Sequence, residues 1–159
     1  MKRSAIAWLT YQGSDRPRGA WYVWHDGAAY VVSGGPEQSL PGIEQASRVV
    51  VTNRSKDTGA RLVSWVAAAA VETPGTESWR AAAELLKAER LNAPPGVDLL
   101  AAWAEESTIT RLTPSGEVLE RPGAFPDESL AAPPPDSPAT TVGKLPWVAH
   151  RRPRRAPDL

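Results

Sequence analysis

The chain has 159 residues, 42% of them hydrophobic, enough to bury the core of one ordinary domain, for which ~100–150 residues are typical. Its 18 basic residues balance 18 acidic ones, so no overall field draws in nucleic acid or an anionic membrane. Cysteine is absent, which removes disulfides, thiolate metal sites and a cysteine nucleophile and fits a cytoplasmic protein.

The first residues, Met1 to Arg3, carry the charge of a leader, but the apolar part that follows is short and runs at once into Tyr11, Gln12 and Asp15. Ala5 to Tyr11 is therefore read as a first strand. No run approaches the ~18 apolar residues of a membrane-spanning helix. A polar loop from Gln12 to Gly19 leads to the strongest local signal in the chain. Trp21 to His25 and Ala28 to Val32 are two β-rich runs around Asp26-Gly27, the pair that fills a two-residue type I′ turn. That turn sets Trp24 opposite Ala29 and Tyr22 opposite Val31 on one face, with Val23 opposite Tyr30 and Trp21 opposite Val32 on the other. Both faces are apolar, which predicts cover on both sides, as when a barrel also packs against a second subunit.

Next comes Ser33-Gly34-Gly35-Pro36-Glu37-Gln38, between that hairpin and a predicted short helix over Ser39 to Ala46. Two glycines after a strand let the backbone turn sharply and approach a ligand, and the free amides of a following helix point at whatever the turn holds. It is the candidate anion site, and equally a plain strand-ending turn. Ser47 to Asn53 reads as a strand, Arg54 to Gly59 as a hairpin connection and Ala60 to Val71 as its partner strand. The alanines Ala67 to Ala70 leave room over that strand for another backbone, a helix or a flat ligand. Thr76 is the predicted N-cap of a helix carrying Trp79, Ala82, Ala83 and Leu86 at helical spacing, and Asp98 to Glu105 is a second, shorter helix. Thr108 to Leu112 returns as a strand, turned at Ser115-Gly116 into a short Glu117 to Glu120. From Arg121 to Leu159 the chain holds nine of its 16 prolines and ends in Arg151, Arg152, Arg154 and Arg155, which predicts an extended tail rather than regular structure. The expectation is thus a domain over residues 1–120 and a Pro-rich tail over 121–159. The domain is mainly β with α (α+β): a six-stranded antiparallel split β-barrel with two packed helices.

From Gly19 to Pro114 the chain resembles the flavin-binding split-barrel superfamily, which includes pyridoxamine 5'-phosphate oxidase-like proteins and deazaflavin-dependent reductases. The resemblance is carried by Trp21-Tyr22-Val23-Trp24 before Asp26-Gly27, by Tyr30 to Gly35, by the segment closing at Ile43 to Ala46, and by Val49 to Val51 with the long strand through Trp65. It implies a homodimer holding the flat ring of FMN, or of a deazaflavin, in a groove between its subunits. Ser33, Gly34, Gly35 and Gln38 then match the cofactor turn, Arg54, Ser55 and Lys56 the phosphate or tail contacts, and Trp65 the long strand beside the ring. The turn departs from the oxidase pattern, since Glu37, Gln38 and Ser39 stand where a basic cluster is usual and no positive charge falls between Ser33 and Ala46.

Two functions follow. One is an oxidoreductase in which the cofactor passes a hydride to a small molecule, a chemistry that needs no side-chain nucleophile. The other is a non-catalytic dimer that binds or scaffolds, including a haem or bilin holder. The glycine turn favours the first and the missing basic cluster the second. Trp21, Trp24 and Trp65 also have a plain reading, as aromatics that bury area wherever sheets meet.

Overall fold

The computed structural model describes residues 5–55, 58–91 and 96–124. Six strands, β1 (Ala5–Tyr11), β2 (Arg18–His25), β3 (Ala28–Ser33), β4 (Arg48–Arg54), β5 (Arg61–Val71) and β6 (Thr108–Glu120), close into a barrel of order β1-β2-β3-β6-β5-β4. Every neighbouring pair is antiparallel. Two helices, α1 (Glu77–Glu89) and α2 (Leu99–Glu106), follow β5. The architecture is the predicted one, mainly β with α. Lys56 and the predicted tail from residue 125 onward lie outside the described residues.

Side chains alternate in and out of the barrel. Ala7, Leu9 and Tyr11 of β1, Ala20 of β2, Ala29 and Val31 of β3, Val49 and Val51 of β4, Ala67 of β5 and Leu112 of β6 form the inner core. A six-stranded barrel is narrow, so alanines must face the bulkier residues across it. This corrects the reading of Ala67 to Ala70 as room for a ligand: Ala67 fills the barrel, while Ala68 and Ala70 are exposed on the outside.

The Asp26-Gly27 turn forms as predicted, with φ of 44° and 72°, and sets Val23 opposite Tyr30 and Trp24 opposite Ala29. The hairpin pairing stops there. Tyr22 and Trp21 pair instead with Ala5 and Ile6 of β1, so β2 and β3 diverge where the sequence predicts Trp21 opposite Val32. The outer face of the hairpin is covered, but by the chain's own helices. Val23 and Val32 pack with Trp79, Ala82, Ala83 and Leu86 of α1 and with Leu99 and Trp103 of α2. Burying each of the larger side chains contributes roughly 1.5–3 kcal/mol. α1 begins at its predicted cap, Thr76 accepting from Trp79 N at 3.2 Å, while Asp98, expected as the first residue of the second helix, is instead its cap and accepts from Leu100 N at 3.1 Å.

Two elements differ from expectation. No helix forms over Ser39 to Ala46, because Pro41 lacks a donor and Gly42 is left-handed at φ 78°; a single 3-10 turn, Ile43–Gln45, remains. Its Ile43 and the neighbouring Leu40 are buried against the end of the barrel marked by Tyr11, whose hydroxyl donates to the Pro41 carbonyl at 3.1 Å. Nor is there a hairpin at Ser115-Gly116. β6 continues to Glu120 through an irregularity in which Trp65 faces Val118 and Ala67 faces Pro114, so three residues of β6 stand across from one of β5. Proline is tolerated in a strand at such a bulge. No helix among the described residues is long and apolar enough to cross a membrane.

Candidate functional site

The structure separates the predicted site residues into two groups. Ser33, Gly34, Gly35 and Gln38 lie together in the turn after β3. Ser33 is buried. Gly34 donates its amide to the Gln38 carbonyl at 3.1 Å, and its own carbonyl accepts from Glu37 N at 3.0 Å and from Ser107 Oγ at 3.1 Å. A Cβ on Gly34 would stand 3.0 Å from the Glu106 carbonyl oxygen, and one on Gly35 would stand 3.0 Å from Glu106 Cβ. The glycines therefore serve a close approach, and what approaches is the C-terminal end of α2.

The two side chains beyond the glycines are also engaged with protein. Gln38 sits where β2 and β3 part. Its Oε1 accepts from Trp21 N at 2.8 Å, and its Nε2 donates to the carbonyls of Trp21 and Val32, both at 3.0 Å. The amide stands in for the missing ladder pair and satisfies three backbone groups at once. Glu37 points the other way, into the helices, with its side chain 3% exposed. Its Oε1 accepts from Arg90 Nε at 2.8 Å and from Trp103 Nε1 at 3.0 Å. The carboxylate thus ties the turn to the end of α1 and to α2 in one charge-assisted knot.

The second group lies at the open end of the barrel, opposite the end closed by Leu40 and Ile43. The register places it: Tyr11 meets Val49 at the closed end, whereas Ala7 meets Asn53 toward the other. A groove of about 290 Å³ there is lined by Tyr22 and Trp24 of β2, Asn53 of β4, Val63 and Trp65 of β5, and Pro114, Gly116, Glu117 and Val118 of β6. The indoles of Trp24 and Trp65 meet edge to face, centroids 6.0 Å apart at 82°. Trp24 is 52% exposed. Behind them runs a fixed chain of hydrogen bonds. Trp65 Nε1 donates to Asn53 Oδ1 at 3.0 Å, and Asn53 Nδ2 donates to the Tyr22 hydroxyl oxygen at 3.0 Å. The hydroxyl accepts in that bond, and among the described residues nothing takes its own proton, which is left to donate.

Of the predicted hairpin contacts, Arg54 turns to the outer face, with its guanidinium 5.8 Å from the ring centroid of Trp8. Ser55 closes the hairpin, its amide donating to the Ala60 carbonyl at 2.8 Å. Trp65 is the one predicted site residue that lines the groove. Tyr22 and Asn53 are not among the ligand contacts the sequence predicts, and Trp24 is there given the plainer role of an aromatic that buries area. Asn53 carried a usable signal, because it follows Val49 and Val51 at a spacing of two and so faces inward among apolar residues.

No family model matches the chain, and no curated protein matches it by sequence. Solved structures similar to it include a candidate 5-nitroimidazole antibiotic resistance protein of Bacteroides thetaiotaomicron, at 8% identity and TM-score 0.49, covering 70% of this chain and 74% of that one. A candidate pyridoxamine 5'-phosphate oxidase of Listeria innocua is similar at 17% identity and TM-score 0.45, covering 72% of this chain and 88% of that one. The flavocytochrome Anf3 of Azotobacter vinelandii is similar at 14% identity and TM-score 0.44, covering 92% of this chain and 83% of that one.

Proposed function

We propose that this protein binds a planar aromatic cofactor of the flavin or deazaflavin type in the groove at the open end of its barrel, and that the bound cofactor serves hydride transfer to a small molecule. One observation carries the reading: two indoles at right angles and a phenol hydroxyl with an unused proton converge on a single concave, mostly apolar site in the mouth of a barrel. Trp24 and Trp65 offer ring faces and edges, Tyr22 a directed donor, and Asn53 the hydrogen bonds that hold both Trp65 and Tyr22 in place. When bound, a flavin or deazaflavin supplies the redox chemistry; the chain's part is to bind it, orient it and limit water. Arg54 and Ser55 lie on the hairpin beyond Asn53, and Gln38 bridges the backbones of Trp21 in β2 and Val32 in β3. The working unit in this reading is a homodimer, with the exposed Ile6 and Trp8 of β1 as its apolar contact.

A second reading has its own observation. The turn that would clamp a cofactor phosphate is filled by protein groups, which favours a non-catalytic barrel that binds or scaffolds, including one that holds a haem or bilin. An absorbance spectrum of the purified protein, followed by titration with FMN and with a deazaflavin, decides between them. Micromolar affinity for either ring supports the oxidoreductase reading. A haem-like band, or no binding of either, overturns it.

A further inference from the structure

We infer that the groove recognises the ring of its ligand without a phosphate clamp, so that an uncharged flavin such as riboflavin binds as well as FMN. This rests on the flavin-type reading above and specifies its ligand class as a neutral, planar heteroaromatic with a hydrogen-bond acceptor on its edge. The first support is charge. None of the nine residues lining the groove is a cation, and one of them, Glu117, is a carboxylate. The arginines of the two strands that carry Asn53 and Trp65 are already engaged. Arg48 Nη2 donates to both oxygens of Glu117 at 3.2 Å, Arg54 lies over Trp8, and Arg61 Nη1 donates to Glu120 Oε1 at 2.8 Å. Drawing any of them to a phosphate means breaking an existing contact.

The second support is the turn where a phosphate would be expected. The amides of Gly34 and Glu37 are hydrogen-bonded within the turn, the Gly34 carbonyl takes the Ser107 hydroxyl, and the Glu106 carbonyl crowds the space a Cβ would need. Two of the turn's amides are therefore already committed, and its close side is taken up by α2. The third is size. At about 290 Å³ the groove is at the small end of ligand sites, ~300–1,000 Å³. That volume matches one ring system better than a ring with its ribityl chain and anything attached to it. Among the described residues, what remains to read the ligand is two indole surfaces and the Tyr22 proton, none of which distinguishes a phosphorylated tail from a bare one.

The test is a titration of the full-length protein with FMN, riboflavin and the ring-only compound lumichrome, followed by quenching of tryptophan fluorescence at low and high salt. The expected result is that the dissociation constants for FMN and riboflavin agree within about threefold, and that salt moves the FMN value less than about twofold, since no exposed ion pair is being screened. Tyr22→Phe is expected to weaken FMN and riboflavin equally, by about tenfold, the value of one lost hydrogen bond to a buried group. FMN binding tenfold or more tighter than riboflavin, with a steep loss in salt, would overturn the inference and leave the flavin reading standing. Failure of all three compounds to bind would overturn both.

Discussion

At the scale of single residues, Glu37 decides how the glycine turn is to be understood. A carboxylate next to a phosphate would repel it, but a carboxylate with its side chain 3% exposed and accepting from Arg90 and Trp103 is part of the molecule's own framework. Replacing it should therefore cost stability rather than change cofactor affinity. Glu37→Ala leaves the indole N–H of the fully buried Trp103 with no acceptor and takes the charge from beside Arg90, and the expected loss is about 3 kcal/mol in urea denaturation. Glu37→Gln keeps an acceptor and should lose less, about 1–2 kcal/mol. If Glu37→Gln instead tightened FMN binding without loss of stability, the carboxylate would be facing the ligand site and the assignment would be wrong. The sequence could not reveal this role. Its donors come from 53 and 66 residues further along the chain, and a local reading shows a donor-rich turn without showing which acceptors and donors fold back onto it.

At the scale of elements, what was legible depended on whether the deciding interaction is local. The β2–β3 turn was readable because Asp26-Gly27 determines its own geometry, and both helix starts were readable because Thr76 and Asp98 cap amides two or three residues away. The course of β6 was not. Ser115-Gly116 has the composition of a turn, yet the strand continues because long-range contacts hold its second half against β5. Ser115 Oγ donates to the Val66 carbonyl at 3.1 Å and accepts from Glu117 N at 3.3 Å, replacing ladder bonds inside the bulge. Beyond it, Glu120 accepts from Arg61 and from Ser64 Oγ, and Ser64 in turn shares a hydrogen bond with Thr52 of β4. The bulge matters for the site, since Pro114, Gly116, Glu117 and Val118 form one wall of the groove. Ser115→Ala should cost about 1 kcal/mol. Hydrogen exchange should rise at the Glu117 amide while the amides of β3 stay protected. Uniform loss of protection across the barrel would mean that Ser115 supports the whole fold and not one wall of the groove.

At the scale of the whole molecule, the question is what covers the remaining apolar surface. The two-faced aromatic hairpin predicts cover by a second subunit, but α1 and α2 of the same chain cover its outer face. A different surface supports one. Ile6 and Trp8 on the outside of β1 are 54% and 37% exposed, and the indole of Trp8 lies between Arg54 on one side and Gly19 on the other. Gly19 is the residue paired with Trp8 across β1 and β2, and a Cβ there would meet the edge of the indole at 3.9 Å. A partly exposed indole beside a guanidinium and an exposed isoleucine together offer apolar area to a partner. If two copies meet there, a charge placed at Ile6 must be desolvated on association, whereas in a monomer the same charge sits in water at almost no cost. Sedimentation at micromolar concentration should therefore show a dimer for the native chain and a monomer for Ile6→Glu. The melting temperature of the variant separates the alternatives: a small decrease that depends on protein concentration is expected from lost association. A native chain that sediments as a monomer would remove the dimer and leave the groove to bind its ring within one subunit.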